Sequence, residues 1–329
     1  MALDLQPLSS ASRILFAVEL APLQGQRFQP TGFPNLGPAL YSTAIGQSLL
    51  LESAQSMANR LEATCWDATK QDLVGDLLGL SHVRVTRKGE FLTDTVLESH
   101  RINSPYLLEG RDKKFADLLK KQLSTFEACP IDRAKLAATL LRFDVGSLLH
   151  GAFLAKKELA GGRLRIPRAM SAFIEADGVQ VAASGGVKND HVNPSGAAKD
   201  GFGNVPFARD EFTAQRITFF ANIDLAQIRG YGLGEATTKM LTLLALWKLR
   251  TLLDGDLRLR TACDLEPKSR NIVASRPEGF ALPSKQELAP ALRQAIEACK
   301  DKMVVTTTTF EDELSRGRGD DEGEGEAGE

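Results

Sequence analysis

Few side chains of this sequence are arranged for catalysis. It has four histidines, and it lacks the G-x-S-x-G elbow, the H-E-x-x-H zinc motif and the glycine loops of nucleotide-binding proteins. His150 lies in the apolar run LLHGAFL and His82 opens a strand-like segment, so both are predicted to be structural. Asp190 and His191 are the one adjacent pair that could cleave RNA by acid–base chemistry. The sequence therefore predicts a protein that is not an enzyme, with no cofactor and no metal.

Residues 99–106 combine several groups that bind nucleic acids. This segment reads SHRINSPY and ends in a proline and a tyrosine. His100, Arg101 and Asn103 supply cationic and amide donors within four positions. The mix is suited to contacts with phosphates and bases.

A second polar cluster is predicted on one face of a helix. Apolar residues recur at helical spacing within residues 46–64 and predict a helix there. The opposite face carries amide and hydroxyl groups where solvent faces usually have Glu and Lys: its members are Ser53, Gln55, Ser56, Asn59 and Arg60. These groups suit hydrogen bonds to a ligand, and the alternative is that they cap or brace neighbouring loops.

The longest irregular segment, residues 184–211, lies between two strand-like stretches. Loops longer than about a dozen residues are uncommon in compact domains and tend to be functional or disordered. This one keeps Phe202 and Phe207 among its Gly, Pro and Asn residues, which a disordered linker would lack. It is predicted to be an arm that reaches out and grips a ligand, with a plain surface loop as the alternative.

Glycines also precede a helix predicted to begin near Glu235. Residues 227–234 read QIRGYGLG, in which backbone amides, the helix N-terminus and Arg229 could hold a phosphate. A tight strand-to-helix turn explains the glycines as well.

The charge of the chain is divided between its body and its end. The formal net charge is −2, but residues 311–329 contain nine acidic and two basic residues, which leaves residues 1–310 with a net charge of +5. The acidic tail is too poor in apolar residues to form a core and is predicted to be disordered. It either solubilises the protein or competes with a polyanion for the basic body.

The composition indicates a cytoplasmic globular protein. Hydrophobic residues make up 43% of the 329 positions, enough for a large core. No uninterrupted apolar run of about 18 residues and no secretory signal are visible, so no membrane contact is expected. The cysteines Cys65, Cys129, Cys263 and Cys299 are widely spaced and are expected to be free thiols.

The order of the predicted elements indicates an α+β fold. Strands are predicted at 14–20, at 81–87, on both sides of the arm and at 256–265, and helices at 111–126, 131–143 and 235–253. Without the arm and the middle of the chain, the order is strand, helix, strand, strand, helix, strand. This is the ferredoxin-like arrangement that RNA-recognition modules also use.

Segments along most of the chain resemble one known family. QPTGFPNLGPALY, LLESAQSMANRLE, SHRINSPYLLEG, RIPRAMSAFIEA, GVKNDHVNPSG and DLAQIRGYGLG occur in order, and the resemblance covers residues 13 to about 265. They look like the backbone subunit of the type I-G (formerly I-U) CRISPR surveillance complex, Cascade, a member of the Cas-seven family of RAMP proteins. The resemblance implies a hand-shaped molecule that polymerises along a guide RNA without cutting it.

The resemblance also implies a division of the chain and a set of partners. Residues 1–64, 164–183 and 212–310 would form an RNA-recognition-like palm with C-terminal elements, residues 65–163 a mainly helical finger insertion, residues 184–211 the thumb, and residues 311–329 the tail. The implied partners are the CRISPR guide RNA, the target DNA strand, neighbouring copies in a helical filament, a fused Cas-five/six-type subunit and the large subunit.

The residues expected to contact guide RNA come from these segments. They are Gln55, Ser56, Asn59, Arg60, His100, Arg101, Asn103, Arg163, Arg165, Arg168, Lys188, Asn189, Phe202, Phe207, Arg209, Arg229, Tyr231, Arg258 and Arg260. For arginines on strands, pairing with nearby carboxylates is the alternative.

Two other functions stay open at this level. One is a RAMP-type endoribonuclease that uses Asp190 and His191. The other is a module that binds a protein partner through the arm. Binding that weakens steeply with salt would favour nucleic acid over a protein partner.

Overall fold

The computed structural model describes residues 3–33, 37–44, 46–126, 130–255 and 257–314. Cys129 and the part of the predicted acidic tail from residue 315 onward lie outside these ranges. Within them the predicted α+β class is confirmed, because an antiparallel sheet of seven strands carries packed helices on it.

The strands are β1 (Arg13–Pro22), β2 (Gly32–Phe33), β3 (Gly37–Pro38), β4 (Leu40–Thr43), β5 (Gly46–Glu52), β6 (Trp66–Asp67), β7 (Asp72–Leu73), β8 (His82–Arg87), β9 (Glu90–Asp94), β10 (Ala152–Leu154), β11 (Leu164–Ile166), β12 (Met170–Asp177), β13 (Gln180–Lys188), β14 (Val205–Thr213), β15 (Arg216–Asp224), β16 (Leu257–Arg260), β17 (Cys263–Pro267) and β18 (Val305–Thr309). The α-helices are α1 (Ala54–Ala63), α2 (Pro105–Leu108), α3 (Lys114–Leu123), α4 (Arg133–Phe143), α5 (Gly146–His150), α6 (Leu225–Gly230), α7 (Glu235–Asp254) and α8 (Lys285–Glu297). Short 3-10 turns include Arg101–Asn103 and Ala198–Asp200.

The central sheet has the strand order β16-β17-β1-β15-β12-β5-β4. Its middle strands are paired over nearly their whole lengths, from Arg13 opposite Asp224 to Leu20 opposite Ile217 between β1 and β15. Along the chain, β1, α1, β12, β15, α7 and β17 follow one another as strand, helix, strand, strand, helix and strand.

One face of this sheet is packed against helices. On β1 the alternate residues Ile14, Phe16, Val18 and Leu20 are buried, as expected for a strand with one covered face. Helix α1 packs on β12, and α7, with its fully buried Trp247, packs on α1. In the parts of the chain that the structure describes, no helix is long and apolar enough to cross a membrane.

Two element predictions are wrong. The helix predicted over 46–64 is α1 only from Ala54, since residues 46–52 form β5, which pairs with β4 and β12. An apolar run such as Leu49 to Leu51 fits a buried strand as well as a helix. The single strand predicted at 256–265 is two antiparallel strands, β16 and β17, joined by a turn in which Ala262 has a φ of 57°.

Residues 65–163 form a mixed unit beside the sheet. They contain the two helices predicted there, α3 and α4, together with short strands. The strand predicted at 81–87 is β8, which pairs with β9 on one side and in parallel with the C-terminal strand β18 on the other. The C-terminal segment is thus attached to this unit.

The arm is an extended β-hairpin. Strands β13 and β14 are paired from Gln180 opposite Thr213 to Lys188 opposite Val205, and most of their residues are exposed. Nine residues per strand at about 3.4 Å each give a reach of roughly 30 Å.

Candidate nucleic-acid interface

A cleft opens at one end of the central sheet, where β1 and β12 begin and β15 ends. Its volume is about 1180 Å³. Its walls are built by the 3-10 turn Arg101–Asn103, the first residue of α4, the end of α5, the β10–β11 pair and α6. Six predicted RNA contacts that are far apart in the sequence line it together: His100, Arg101, Asn103, Arg165, Arg168 and Tyr231.

Three arginines in this cleft are available to an anion. Arg133, Arg165 and Arg168 are exposed, and none of their guanidinium groups makes a hydrogen bond or ion pair with any residue that the structure describes. Arg13 is engaged instead, because its Nη2 lies 2.8 Å from Oδ2 of Asp224. Asp224 is the one carboxylate among the described residues that line the cleft. The cleft therefore carries an excess of positive charge.

The floor of the cleft is a buried polar cluster. Arg101 donates from Nε and Nη2 to the two carboxylate oxygens of Glu62, at 2.5 and 2.6 Å, and is only 8% exposed. Behind it, Nζ of the buried Lys248 lies 2.9 Å from Nε2 of His150. Burial, and then the charges of Lys248 and Arg101, hold the pKa of His150 well below its usual value of 6.5. His150 is therefore neutral, with Nε2 paired to Lys248.

Tyr231 is buried in the wall of the cleft, and its hydroxyl group is hydrogen-bonded within the protein. Its hydroxyl donates to the carbonyl of Leu148 at 2.7 Å and accepts from Nε2 of Gln227 at 2.7 Å. The same amide donates to the carbonyl of Pro167. Burial raises the pKa of Tyr231 to about 12, so it stays a neutral hydrogen-bonding group.

The arm presents a second group of predicted contacts away from the cleft. Lys188 and Asn189 are exposed at the end of β13, and Phe202 and Phe207 are 53% and 51% exposed. Arg209 lies nearer the base of the hairpin, where its Nε and Nη2 donate to Glu211.

Asp190 organises the tip of the arm. Its carboxylate accepts hydrogen bonds from the backbone N–H groups of Val192, Asn193 and Gly203, at 2.8 to 3.0 Å. These bonds, the one from Asn193 first, lower the pKa of Asp190. His191 is exposed beside it. The aspartate therefore acts as the acceptor of a turn.

The predicted arginines on β16 and α1 are held by carboxylates. Arg260 and Arg60 both approach the buried Glu52, at 2.6 and 3.5 Å, and Arg60 also donates to two carbonyls of β16. Arg258 is 72% exposed and lies 3.8 Å from Asp264. The alternative of carboxylate pairing thus describes this cluster.

The remaining predicted contacts on α1 differ in exposure. Gln55 and Asn59 are exposed and Ser56 is half-buried. Ser53 caps the helix, since its side chain accepts from the backbone N–H of Ser56.

Arg163 and Arg229 are engaged with backbone carbonyls. Nη2 of Arg163 donates to Phe126 at 2.5 Å, and its Nε donates to Ala160. Nη2 of Arg229 donates to the carbonyl of Ala11 at 2.5 Å. Both guanidinium groups brace loops in this structure.

Sequence reasoning missed four residues with properties of the same kind. Arg13 and Arg133 line the cleft, although in the sequence they only flank a strand and begin a helix. Phe173 and Phe220 stack across β12 and β15, with ring centroids 5.1 Å apart, on the sheet face away from the helices. Half-exposed aromatic residues at alternate strand positions are the signal that could have found this pair.

This α+β protein has a cleft with three arginines that have no partner among the described residues. A protein with such a cleft is suited to bind anionic polymers. The chain belongs to the family of CRISPR-associated protein GSU0053, whose model matches residues 14–181. The predicted CRISPR-associated identity is thereby confirmed at the level of the family.

Solved structures are also similar to this chain. One is a chain of a "CRISPR RNA-guided surveillance complex, pre-nicking", with 15% identity over 78% of this chain and 73% of that chain, and a TM-score of 0.37. Another is Csc2 of Thermofilum pendens, with 9% identity over 92% of this chain and 83% of that chain, and a TM-score of 0.32. Among curated proteins, none matches the sequence.

Proposed function

We propose that the protein binds single-stranded CRISPR guide RNA as a backbone subunit of a Cascade surveillance complex. The observation that carries this proposal is the cleft, in which Arg133, Arg165 and Arg168 are exposed without a partner among the described residues. Guanidinium groups bind phosphate oxygens in a bidentate geometry. Membership of a CRISPR-associated family makes guide RNA the expected polyanion.

The finer proposal is a type I-G subunit with three functional parts. The central sheet with α1 and α7 is the RNA-recognition-like palm, and its order of strands and helices supports this role. Residues 65–163 are the finger unit and the β13–β14 hairpin is the thumb. Copies related head to tail by a contact that does not close form a helical filament, and this arrangement suits repeated binding along one guide.

The hairpin is proposed to act on the RNA segment of a neighbouring copy. It joins the end of β12 to the start of β15, at the end of the sheet opposite the cleft, and its strands are roughly 30 Å long. The exposed rings of Phe202 and Phe207 can stack on bases, and Lys188 can hold a phosphate.

Replacing residues 187–206 by a two-residue turn tests this role. The expected result is that one copy still binds a short RNA, whereas several copies no longer assemble on a long guide. Mass photometry of the assemblies would show it, and unchanged filaments would contradict the proposed thumb function.

The subunit is proposed to hold guide RNA and present it for pairing with the target DNA strand, without cleaving either. The carboxylate of Asp190 already accepts three backbone hydrogen bonds, which leaves it poorly placed as a general base. Incubation of the purified chain with guide RNA, with and without divalent metal, tests this. Cleavage that disappears in Asp190→Ala or His191→Ala would establish the endoribonuclease alternative.

Recovery of RNA from the purified complex is the direct test of the main proposal. Wild-type chain expressed with its complex should copurify with RNA of guide length, and Arg165→Glu with Arg168→Glu should abolish that recovery. Arg270→Glu with Arg293→Glu is the matched control, since both arginines are exposed but lie beside carboxylates outside the cleft. Equal RNA recovery with the cleft variant and the control would exclude the cleft as the binding site. Binding that does not respond to salt would favour a protein partner instead.

A further inference from the structure

Two buried polar atoms at the cleft have no hydrogen-bond partner among the residues described. They are Nδ1 of His150 and Oδ1 of Asn103, and both residues line the cleft. In native proteins, buried polar atoms almost always have a partner. A pair of such atoms within one cleft therefore points to a group that is supplied by a ligand.

His150 offers a hydrogen-bond donor at this place. Nζ of Lys248 lies 2.9 Å from Nε2 of the imidazole, and a lysine ammonium group only donates, so Nε2 accepts. A neutral imidazole has one ring proton, which then resides on Nδ1. Because Lys248 is buried, its contact with Nε2 is fixed by the fold, and the tautomer with the proton on Nδ1 is fixed with it.

Asn103 offers an acceptor in the same cleft. The residue closes the 3-10 turn Arg101–Asn103, and its backbone N–H donates to the carbonyl of His100 at 2.9 Å. Arg101 connects the two residues, since its Nη1 points to the carbonyl of Gly151, the neighbour of His150, at 3.5 Å. The turn packs against α5 and β10, so Asn103 and His150 line the same part of the cleft.

We propose that this donor and acceptor bind the 2′-hydroxyl group of one ribose, so that the cleft selects RNA over DNA. The proposal rests on the proposed binding of guide RNA in this cleft. A hydroxyl group both donates and accepts, and it satisfies both atoms at once. A phosphate oxygen only accepts and would leave Oδ1 of Asn103 unpaired. The 2′-hydroxyl group is also the feature by which a protein distinguishes RNA from DNA at a given site.

Arg168 lies next to this floor. A Cβ atom at Gly151 would lie 3.2 Å from Cγ of Arg168, so the arginine stem covers the chain next to His150. Its guanidinium group has no partner among the described residues and is exposed. A phosphate held by this guanidinium group would bring its attached ribose next to His150.

The test compares three single-stranded oligonucleotides of one sequence: RNA, DNA and RNA with 2′-fluoro sugars. Full-length wild-type chain should bind RNA about tenfold more tightly than DNA, which corresponds to one well-formed hydrogen-bond pair. The 2′-fluoro RNA should rank with DNA, because fluorine cannot donate to Asn103. Asn103→Ala should bring all three affinities together, whereas Asn271→Ala, at an exposed position outside the cleft, should keep the RNA preference.

The outcomes separate this inference from the proposed function. If Arg165→Ala with Arg168→Ala weakens RNA binding but Asn103→Ala leaves the RNA-to-DNA ratio unchanged, guide binding stands and ribose selection is refuted. The two atoms would then be satisfied by water. If the arginine variant leaves RNA affinity unchanged, RNA does not occupy the cleft and both proposals fail.

Discussion

Replacing Arg133, Arg165 and Arg168 together by alanine should make RNA binding less dependent on salt. Each phosphate contact on a single strand contributes about 0.7 to the slope of log K against log salt concentration. These three guanidinium groups have no partner among the described residues, so each can bind one phosphate. The slope should therefore become about 2 units shallower.

The same counting gives the expected change in affinity. At 0.1 M salt the triple variant should bind about 100-fold more weakly than wild type, and this ratio should fall about 20-fold between 0.05 and 0.2 M salt. Fluorescence anisotropy of a labelled, unstructured RNA measures both quantities with the full-length chain. The salt series matters more than any single affinity, since one affinity alone does not identify charge contacts.

A control variant removes the same charge elsewhere. Arg111, Arg270 and Arg293 are exposed and lie outside the cleft. Their guanidinium nitrogens lie 3.0, 3.8 and 2.6 Å, respectively, from carboxylate oxygens of Asp312, Glu266 and Asp76. Their replacement by alanine should leave the slope within about 0.5 of the wild-type value, because paired surface arginines displace few counterions. Equal slopes for the two triple variants would refute the reasoning, since net charge rather than the cleft would then govern binding.

Three further predictions concern the supports of the cleft and the arm. Glu62→Ala leaves Arg101 as an unpaired buried cation and should lower the free energy of unfolding by about 3 to 5 kcal/mol in urea titrations, with Glu62→Gln less severe; equal stability of wild type and Glu62→Ala would contradict this. The pKa of His150 is depressed in the folded state, so its contribution to stability is present above the unfolded pKa of about 6.5 and is lost as the pH falls toward the folded pKa. Between pH 7.5 and 5.0 wild type should therefore lose more stability than His150→Gln in urea titrations, and parallel pH profiles of the two proteins would contradict the depressed pKa. Asp190→Ala should speed proteolysis between residues 189 and 204 while Asp190→Asn, which keeps an acceptor, stays close to wild type; identical digestion of both variants would argue against the turn.

Element predictions succeeded where the local pattern agrees with the tertiary surroundings. The strand at 14–20 and the helices at 111–126, 131–143 and 235–253 all have matching elements in the structure. The first part of the helix predicted over 46–64 is wrong, because the apolar run at 46–52 is compatible with both a helix and a strand. Pairing with β4 and β12 favours the strand.

The site residues stay predictions, and the structure shows which of the predicted arginines have carboxylate partners. Arg60, Arg209 and Arg260 have the chemistry of RNA contacts, but Glu52 and Glu211 hold them in the folded chain. Sequence alone does not show that Arg260 meets Glu52, because the two residues lie 208 positions apart in the chain.

The sequence by itself determined the α+β class, the basic body, the scarcity of catalytic groups and the resemblance to a CRISPR-associated family. These properties depend on composition and local sequence pattern, which can be read without knowing the fold. Only the tertiary structure decided which cations are free. It brings His100, Asn103, Arg165 and Arg168 to one cleft with Arg133, because the end of the central sheet and the unit of residues 65–163 meet there. A cation can bind a ligand only if no carboxylate of the folded chain already pairs with it. Which carboxylate lies within reach of a given arginine depends on the tertiary structure.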